Sequence, residues 1–249
     1  VGNSKKLMPY AYIIDSAKNE KLRSILDRKN IKKISEYFYR HRHRLSEIDF
    51  HNNTVKEISI FDAPRVDVSI SRIKHYTGTD AIHFQDFILF TNYHKYMDEF
   101  VKYATKLGED SIYKSIVFPN NEEIAIAELP SDYEIDGYPW KKFQMPAIHL
   151  KKENGDGITI INIGVGPANA KTITDHLAVL RPHAWLMVGL CGGLKKNQKI
   201  GDYVLADAYD RDDKILDDKL PLSVPIPNMN DVSDAVCEAY FEIVGIKPE

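Results

Sequence analysis

The sequence predicts an α/β protein with parallel strands, because apolar β-branched runs alternate with a segment of helical periodicity. Ile158–Ile163 has the pattern of a strand, and Gly164-Val165-Gly166 follows it as a turn. Ala168–Leu180 then has helical periodicity, and Ala184–Val188 is a second apolar run that leads to Cys191-Gly192-Gly193. We expect the helix to join two neighbouring parallel strands, with both turns at their carboxyl ends. Open α/β sheets bind ligands there, so the sequence predicts a small-molecule site.

The earlier part of the chain has weaker patterns. Val55–Phe61 alternates apolar and polar residues as a strand does, and Phe87–Phe90 is a short apolar strand candidate that runs into Thr91-Asn92-Tyr93. One face of a helix ending near Gly108 is predicted by the spacing of Met97, Phe100, Val101 and Ala104. Between residues 111 and 150, four prolines divide strand-like pieces.

A basic segment near the amino terminus indicates a domain boundary. Lys18–Arg44 is dense in Lys and Arg, and its apolar residues recur at roughly helical spacing. We interpret it as a helical pair with a solvated basic face; the alternative is an anion or nucleotide site in a regulatory segment. The predicted domains are residues 1–64, helical and basic, and residues 65–249.

Composition excludes several classes of protein. The 249 residues are 43% hydrophobic and have a net charge of −3, which is typical of a soluble, cytoplasmic enzyme and gives no reason to expect nucleic-acid binding. No apolar run is long enough to span a bilayer. The two cysteines and the spacing of the histidines predict neither a disulfide framework nor a metal site, and we expect no cofactor. Cys191 is predicted to be packed in the core, because nothing places a base beside it.

Neither familiar nucleotide-binding motif is complete at the first glycine turn. Asn169 stands where G-x-G-x-x-G has its third glycine, and Ala170 stands where a P-loop has the glycine before its lysine. A turn that allows close backbone approach to a small ligand, followed by helix-start amides, is what remains. An ordinary turn between strand and helix is the alternative, although a second glycine cluster makes it less attractive.

From Arg65 to about Ile226 the chain resembles the AMP nucleosidase family, in its long bacterial form. The resemblance rests on separate blocks in the same order: RVDVSISRIKHYTGT, FQDFILFTNY, WKKFQMPAIHL, GITIINIGVGPANAKTITDHLAVLRP, CGGL, IGDYVLADAYDRDD and PIP. It implies an αβα sandwich of the nucleoside phosphorylase type, incomplete at the carboxyl end and with a small α+β amino-terminal appendage. It also implies hydrolysis of AMP to adenine and ribose 5-phosphate by a homohexamer, with residues 1–64 as the remnant of a regulatory domain.

Two motifs favour water over phosphate as the nucleophile. Hexameric purine nucleoside phosphorylases hold phosphate with a Gly-Asp-Pro turn and with the Arg and Ser of R-V-G-S-C-G. Here the corresponding residues are Thr91-Asn92-Tyr93, Met187 and Leu190. Because neither Met187 nor Leu190 can donate a charge-assisted hydrogen bond to a phosphate dianion, we expect hydrolysis.

The predicted site residues fall into two groups, and no catalytic residue is assigned. The family's ribose-binding Met-Glu motif and catalytic Ser-Asp acid are expected beyond residue 249. The predicted substrate-binding residues are Thr91, Asn92, Tyr93, Gly164, Val165, Gly166, Asn169, Leu190, Cys191, Gly192 and Gly193. The predicted donors to the 5′-phosphate are Arg72, His75, Tyr76, Thr77 and Thr79, for which a tight turn capping the following helix is an equal alternative.

Two other functions stay open. One is a noncatalytic nucleotide-binding or assembly subunit of the same ancestry, and the other is a nucleosidase acting on methylthioadenosine-type compounds. A comparison of adenine release from AMP and from a nucleoside without phosphate separates the methylthioadenosine-type nucleosidase from AMP nucleosidase.

Overall fold

The computed structural model describes residues 66–133, 142–215 and 221–246, which form two compact units. The larger unit ends at Gly189, and the smaller begins at Leu190. The predicted boundary between residues 64 and 65 lies outside the described residues, as do the predicted basic helical pair and the strand at Val55–Phe61, so all three stay predictions.

A six-stranded mixed sheet is the centre of the larger unit. Its strands are β1 (Phe87–Thr91), β2 (Ser115–Phe118), β3 (Glu122–Ala125), β4 (Ala147–Lys151), β5 (Ile158–Asn162) and β6 (Ala184–Val188). Their order across the sheet is β3-β2-β4-β5-β1-β6. Strands β5, β1 and β6 are parallel, whereas β4 runs antiparallel to both β5 and β2.

The predicted helix at Ala168–Leu180 joins β5 to β6, and these two strands are not neighbours in the sheet. The prediction that they neighbour each other is wrong. β1 lies between them and pairs with β5 on one side and with β6 on the other. The reason is that a crossover helix fixes the direction of the strands it joins but allows another strand between them. The position between β5 and β6 is compatible with the sequence of β1, because Ile88 and Phe90 are buried on one face and Leu89 packs against the core on the other.

Helices cover both faces of this sheet. Within the described residues the helices of the larger unit are α1 (Val66–Thr77), α2 (His94–Thr105) and α3 (Pro167–Leu177), with short 3₁₀ turns at Ala81–His83, Ile126–Glu128 and Ala178–Leu180. One apolar cluster joins α1 and α3 to the sheet through Ile73, Ile161 and Leu177. The other joins α2 to the opposite face through Met97 and Ile160. The arrangement is an αβα sandwich, as the sequence predicts.

Helix α1 was not assigned from the sequence, since its polar and apolar residues alternate as in a strand. Ile70 and Ile73, three positions apart, are both buried and lie on its inner face. The helix ends at Gly78, whose amide donates to the Lys74 carbonyl at 2.9 Å and whose φ is +77°. The turn at residues 77–79 therefore closes the preceding helix and does not cap a following one.

Helix α3 matches its sequence signals closely. It begins with Pro167 in the first turn, after Gly166 with φ +107°, and buries Ile173 and Leu177 on one face. One 3₁₀ turn extends it to Leu180, and Arg181 then has the left-handed φ of 50° before Pro182. The proline disfavours the helical conformation at the residue before it, and the helix stops there.

The smaller unit contains less regular structure. Its described elements are the two-residue strands β7 (Ala208–Tyr209) and β8 (Ile226–Pro227), which pair antiparallel, and helix α4 (Asn230–Val244). Asn228 links these elements, because its side-chain amide donates to the Ala206 carbonyl at 2.7 Å and contacts the Ser233 hydroxyl at 2.6 Å. In neither unit does a described helix have the length and apolar character needed to cross a membrane.

His176 on α3 is a titrating group at the contact between two helices. Burial lowers the pKa of His176, the Arg72 guanidinium lowers it further, and Asp175 opposes the change. Its Nδ1 lies 3.3 Å from the Ser69 hydroxyl, and its ring stacks on Tyr76 of α1. The folded protein therefore favours the neutral imidazole.

We predict that this histidine makes the protein less stable as the pH falls below 6.5, its ordinary pKa. The unfolded chain takes up a proton first, so the free energy of unfolding declines until the pH passes the lower folded pKa; above pH 6.5 both states are neutral and the contribution is absent. Urea denaturation between pH 8 and pH 5 measures the slope. His176→Gln should have a shallower slope than the native protein, and identical slopes would contradict the prediction.

Candidate functional site

Three strand ends meet at one edge of the larger unit. Thr91, the last residue of β1, is in register with Asn162 of β5 and with Val188 of β6. The turns that follow these parallel strands therefore start side by side, at the carboxyl edge where the sequence predicts a ligand site. We call this place the three-turn edge; it comprises residues 91–94, 162–169 and 188–189.

The turn after β5 is held open by two asparagines. The Asn162 side-chain oxygen accepts from the Gly164 amide at 3.0 Å, and the Asn169 side-chain amide donates to the Ile163 carbonyl at 3.0 Å. Gly164 has φ +65° and Gly166 has φ +107°, conformations that only glycine adopts easily. The turn exposes Val165, at 81% of its surface. Asn169, noted in the sequence as a departure from a dinucleotide motif, thus stabilises the turn.

The helix that follows adds hydrogen-bond donors to this edge. Gly166 is the N-cap of α3 and has no side chain with which to cap it, and Pro167 has no amide hydrogen. The remaining amides of the first turn keep the partial positive charge of a helix start. An anionic or hydroxyl-rich ligand is the chemistry that such a turn can bind.

The turn after β1 lies between the other two. Thr91 is fully buried, and its hydroxyl accepts from the Tyr93 amide at 3.4 Å. The side-chain oxygen of Asn92 is buried and has no hydrogen-bond partner within residues 66–133, 142–215 and 221–246. It faces Gly189 at the end of β6, where an added Cβ would lie 3.3 Å from that oxygen.

His94 is a residue of this edge that the sequence did not identify. It starts α2, and its Nδ1 lies 3.3 Å from the side-chain nitrogen of Asn162. The bond ties the turn after β1 to the turn after β5. Its position directly after Thr91-Asn92-Tyr93 was the available signal, but a lone histidine at the start of a helix predicts no particular role.

The three-turn edge has no lysine or arginine in its own residues. Two lysines lie just outside it along the chain: Lys95 follows His94 on α2 and is exposed, and Lys171 on α3 forms an ion pair with Asp175 at 2.6 Å. Met187 of β6 is 48% exposed and supplies an apolar surface next to Val188. The edge can offer amide and hydroxyl groups to a ligand, and its own residues carry no guanidinium or ammonium group for a free phosphate dianion.

The predicted phosphate donors lie on the second half of α1 and in the turn that follows it. Arg72 donates to the Tyr76 hydroxyl and lies over the Tyr76 ring, while His75 is exposed. The hydroxyls of Thr77 and Thr79 are buried and 3.1 Å apart. Binding of the 5′-phosphate by these five residues stays a prediction, with His75 the most accessible of them.

A buried histidine, His149, contacts one of these two threonines, Thr79. His149 of β4 has no exposed surface; its Nδ1 lies 2.8 Å from the Thr159 hydroxyl and its Nε2 lies 2.9 Å from the Thr79 hydroxyl. The Gln85 amide donates to the same Thr159 hydroxyl at 2.8 Å. These bonds connect β4, the turn after α1 and the second residue of β5, which is three residues before Asn162 at the carboxyl edge of the sheet.

The second glycine motif belongs to the smaller unit. Leu190 is 71% exposed, and Gly192 has no atom within 4 Å of the position of an added Cβ. Cys191 is exposed, so its predicted burial is wrong. The reason is local: residues 190–200 form neither helix nor strand. A shared site formed by Gly164–Gly166 and Cys191–Gly193 stays a prediction.

Comparisons with known proteins agree with the resemblance seen in the sequence. A family model described as Phosphorylase superfamily matches residues 124–241. AMP nucleosidases of Escherichia coli K12 and Escherichia coli O157:H7 are each 45% identical to the chain over 251 residues, which cover 97% of this chain and 50% of each relative. The chain therefore spans about half the length of these curated relatives.

A solved structure gives the same result for the fold. The crystal structure of AMP nucleosidase from Bacteroides thetaiotaomicron VPI-5482 superimposes with a TM-score of 0.53 and 26% identity, over 72% of this chain and 63% of that one. The predicted fold class, an αβα sandwich of the nucleoside phosphorylase type, is confirmed.

Proposed function

We propose that this chain, a member of the AMP nucleosidase family within the phosphorylase superfamily, belongs to an enzyme that hydrolyses the N-glycosidic bond of AMP. The observation that carries the proposal is the 45% identity to two AMP nucleosidases over 97% of the chain. In the reaction, water adds to C1′ as the bond to the purine breaks, and the purine takes up a proton. The products are adenine and ribose 5-phosphate.

The three-turn edge supports this substrate. Gly164 and Gly166 allow the backbone of the turn after β5 to approach a sugar or a base closely. The uncapped start of α3 favours an electron-rich or anionic group. The exposed Val165 and the half-exposed Met187 provide apolar surface for a base or a sugar face. From the family resemblance we also propose that Leu190, Cys191, Gly192 and Gly193 bind the substrate.

Water is favoured as the nucleophile by what this edge lacks. Phosphorolysis needs charge-assisted donors to hold a phosphate dianion next to C1′. The residues at the ends of β1, β5 and β6 supply backbone amides, asparagine side chains and one histidine, but no arginine or lysine. A neutral water molecule requires only hydrogen-bond partners, so the composition of the edge suits hydrolysis.

We predict that the purified protein releases adenine from AMP at a rate that does not increase with added inorganic phosphate. Chromatography measures adenine, and ³¹P NMR distinguishes ribose 5-phosphate from ribose 1,5-bisphosphate. A phosphate-dependent rate with formation of the bisphosphate would contradict hydrolysis. Methylthioadenosine and adenosine serve as matched substrates without the 5′-phosphate, and faster release from either would favour the methylthioadenosine-type alternative. Tight AMP binding without any adenine release would favour a noncatalytic subunit.

The family resemblance also supports an assembly and a location. We propose a homohexamer in the cytoplasm that takes part in purine salvage and binds neither nucleic acid nor membranes. The net charge of −3 agrees with the absence of a nucleic-acid partner. Sedimentation equilibrium of the purified protein gives the number of subunits directly, and a monomer would contradict the proposed assembly.

A further inference from the structure

An unsatisfied acceptor lies in the middle of the three-turn edge. The side-chain oxygen of Asn92 has almost no contact with solvent, and no donor among the described residues is bonded to it. A buried carbonyl oxygen without a partner costs free energy, and most such groups in native proteins are paired with protein or ordered water. This unsatisfied oxygen belongs to the residue directly after β1, the middle one of the three parallel strands.

The surroundings of this oxygen are shaped to keep it in place. Gly189, at the end of β6, is its neighbour, and a Cβ there would come within 3.3 Å of it. The Met187 methyl lies 3.7 Å from the same Cβ position. Any larger residue at position 189 would press on the Asn92 amide, so the glycine leaves room for the oxygen beside the neighbouring strand.

We propose that the Asn92 side-chain oxygen accepts a hydrogen bond from an O–H group of the reaction, either the attacking water or a ribose hydroxyl. The inference rests on the proposed function and assigns one atom of the site to it. A carbonyl oxygen only accepts, so it repels a phosphate dianion and attracts a hydroxyl hydrogen. An acceptor at the attacking water also orients the lone pair that forms the bond to C1′.

The stability of variants separates this role from a structural one. Asn92→Leu removes the acceptor at similar volume, so we expect kcat/KM for adenine release to fall about tenfold or more while the melting temperature stays unchanged or rises. Gly189→Ala should lower kcat/KM in the same direction by displacing the same amide. Gly108→Ala is the matched control, because an added Cβ there meets no atom within 4 Å. Unchanged activity of Asn92→Leu, or a parallel loss of activity and melting temperature, would overturn the assignment.

Deoxy substrates distinguish the two sources of the O–H group. With 2′-deoxy-AMP or 3′-deoxy-AMP, the penalty of Asn92→Leu disappears if the missing hydroxyl is the donor. If the donor is water, the penalty persists with both substrates and appears in kcat with little change in KM.

A crystal structure of the native protein tests the assignment without activity. An ordered water or ribose oxygen about 3 Å from the Asn92 oxygen supports it, and a protein donor in that place contradicts it. A native protein that releases no adenine from AMP would refute the proposed function, whereas the occupant of this position would still decide the role of Asn92.

Discussion

Gly157→Ala is expected to destabilise the larger unit by about 3 kcal/mol, because the added methyl group would overlap the backbone of β4. The Cβ would lie 2.1 Å from the Leu150 carbonyl oxygen and 2.8 Å from the Gln85 side-chain oxygen. Backbone cannot rotate away as a side chain can, so β4 or β5 must move. Gly157 also accepts the Phe87 amide at 3.2 Å, and the shift would reach β1.

Chemical denaturation monitored by circular dichroism measures this loss. Gly108→Ala controls for the general effect of replacing glycine, since it adds the same methyl group in open space three residues after α2. We expect its free energy of unfolding to stay within about 0.5 kcal/mol of the native value. Equal stability of the two variants would show that the β4–β5 connection adapts to the methyl group.

The second large effect is expected at His149. His149→Ala removes a fully buried ring whose two nitrogens bond to the hydroxyls of Thr79 and Thr159. The change leaves a cavity next to Phe84, which packs edge-on against the ring at 4.7 Å, and removes one partner from each hydroxyl. We expect a loss of about 3 kcal/mol or more, the sum of a cavity and lost buried hydrogen bonds.

His149→Gln is the matched variant for the polar part of this effect. Its amide can donate and accept, so it can keep one or both threonine bonds while filling part of the cavity. We expect denaturant midpoints in the order native, His149→Gln, His149→Ala. A midpoint for His149→Ala equal to the native one would mean that the threonine hydroxyls find other partners.

Local patterns predict the elements around the site closely. β6 has the bounds predicted from its apolar run, β5 ends one residue earlier than predicted, and α3 stops near Arg181 because Pro182 follows. Each of these sequence signals lies within a few residues of the element that it predicts. The position of β1 between β5 and β6 is not local, because strand pairing is decided by burial over the whole sheet.

Parts of the candidate site were also beyond sequence patterns. The glycine turn after β5 was predicted from its composition, but the hydrogen bonds of Asn162 and Asn169 that hold it depend on the folded backbone. The same is true of Asn92, since an unpaired oxygen is visible only when its neighbours are placed. The predicted burial of Cys191 is wrong because cysteine is usually buried, whereas this segment forms neither helix nor strand.

The position of β1 between β5 and β6 has a consequence for how the protein is made. During synthesis this strand leaves the ribosome before the strands it pairs with, so Phe87 must wait for Ile158 and Ala184, about 70 and 100 residues later, to form its ladders. Until then its apolar side chains have no sheet to join, and they are open to association with other chains. A nascent chain stalled before residue 158 is therefore the species most exposed to aggregation, and the one for which chaperone binding should be greatest.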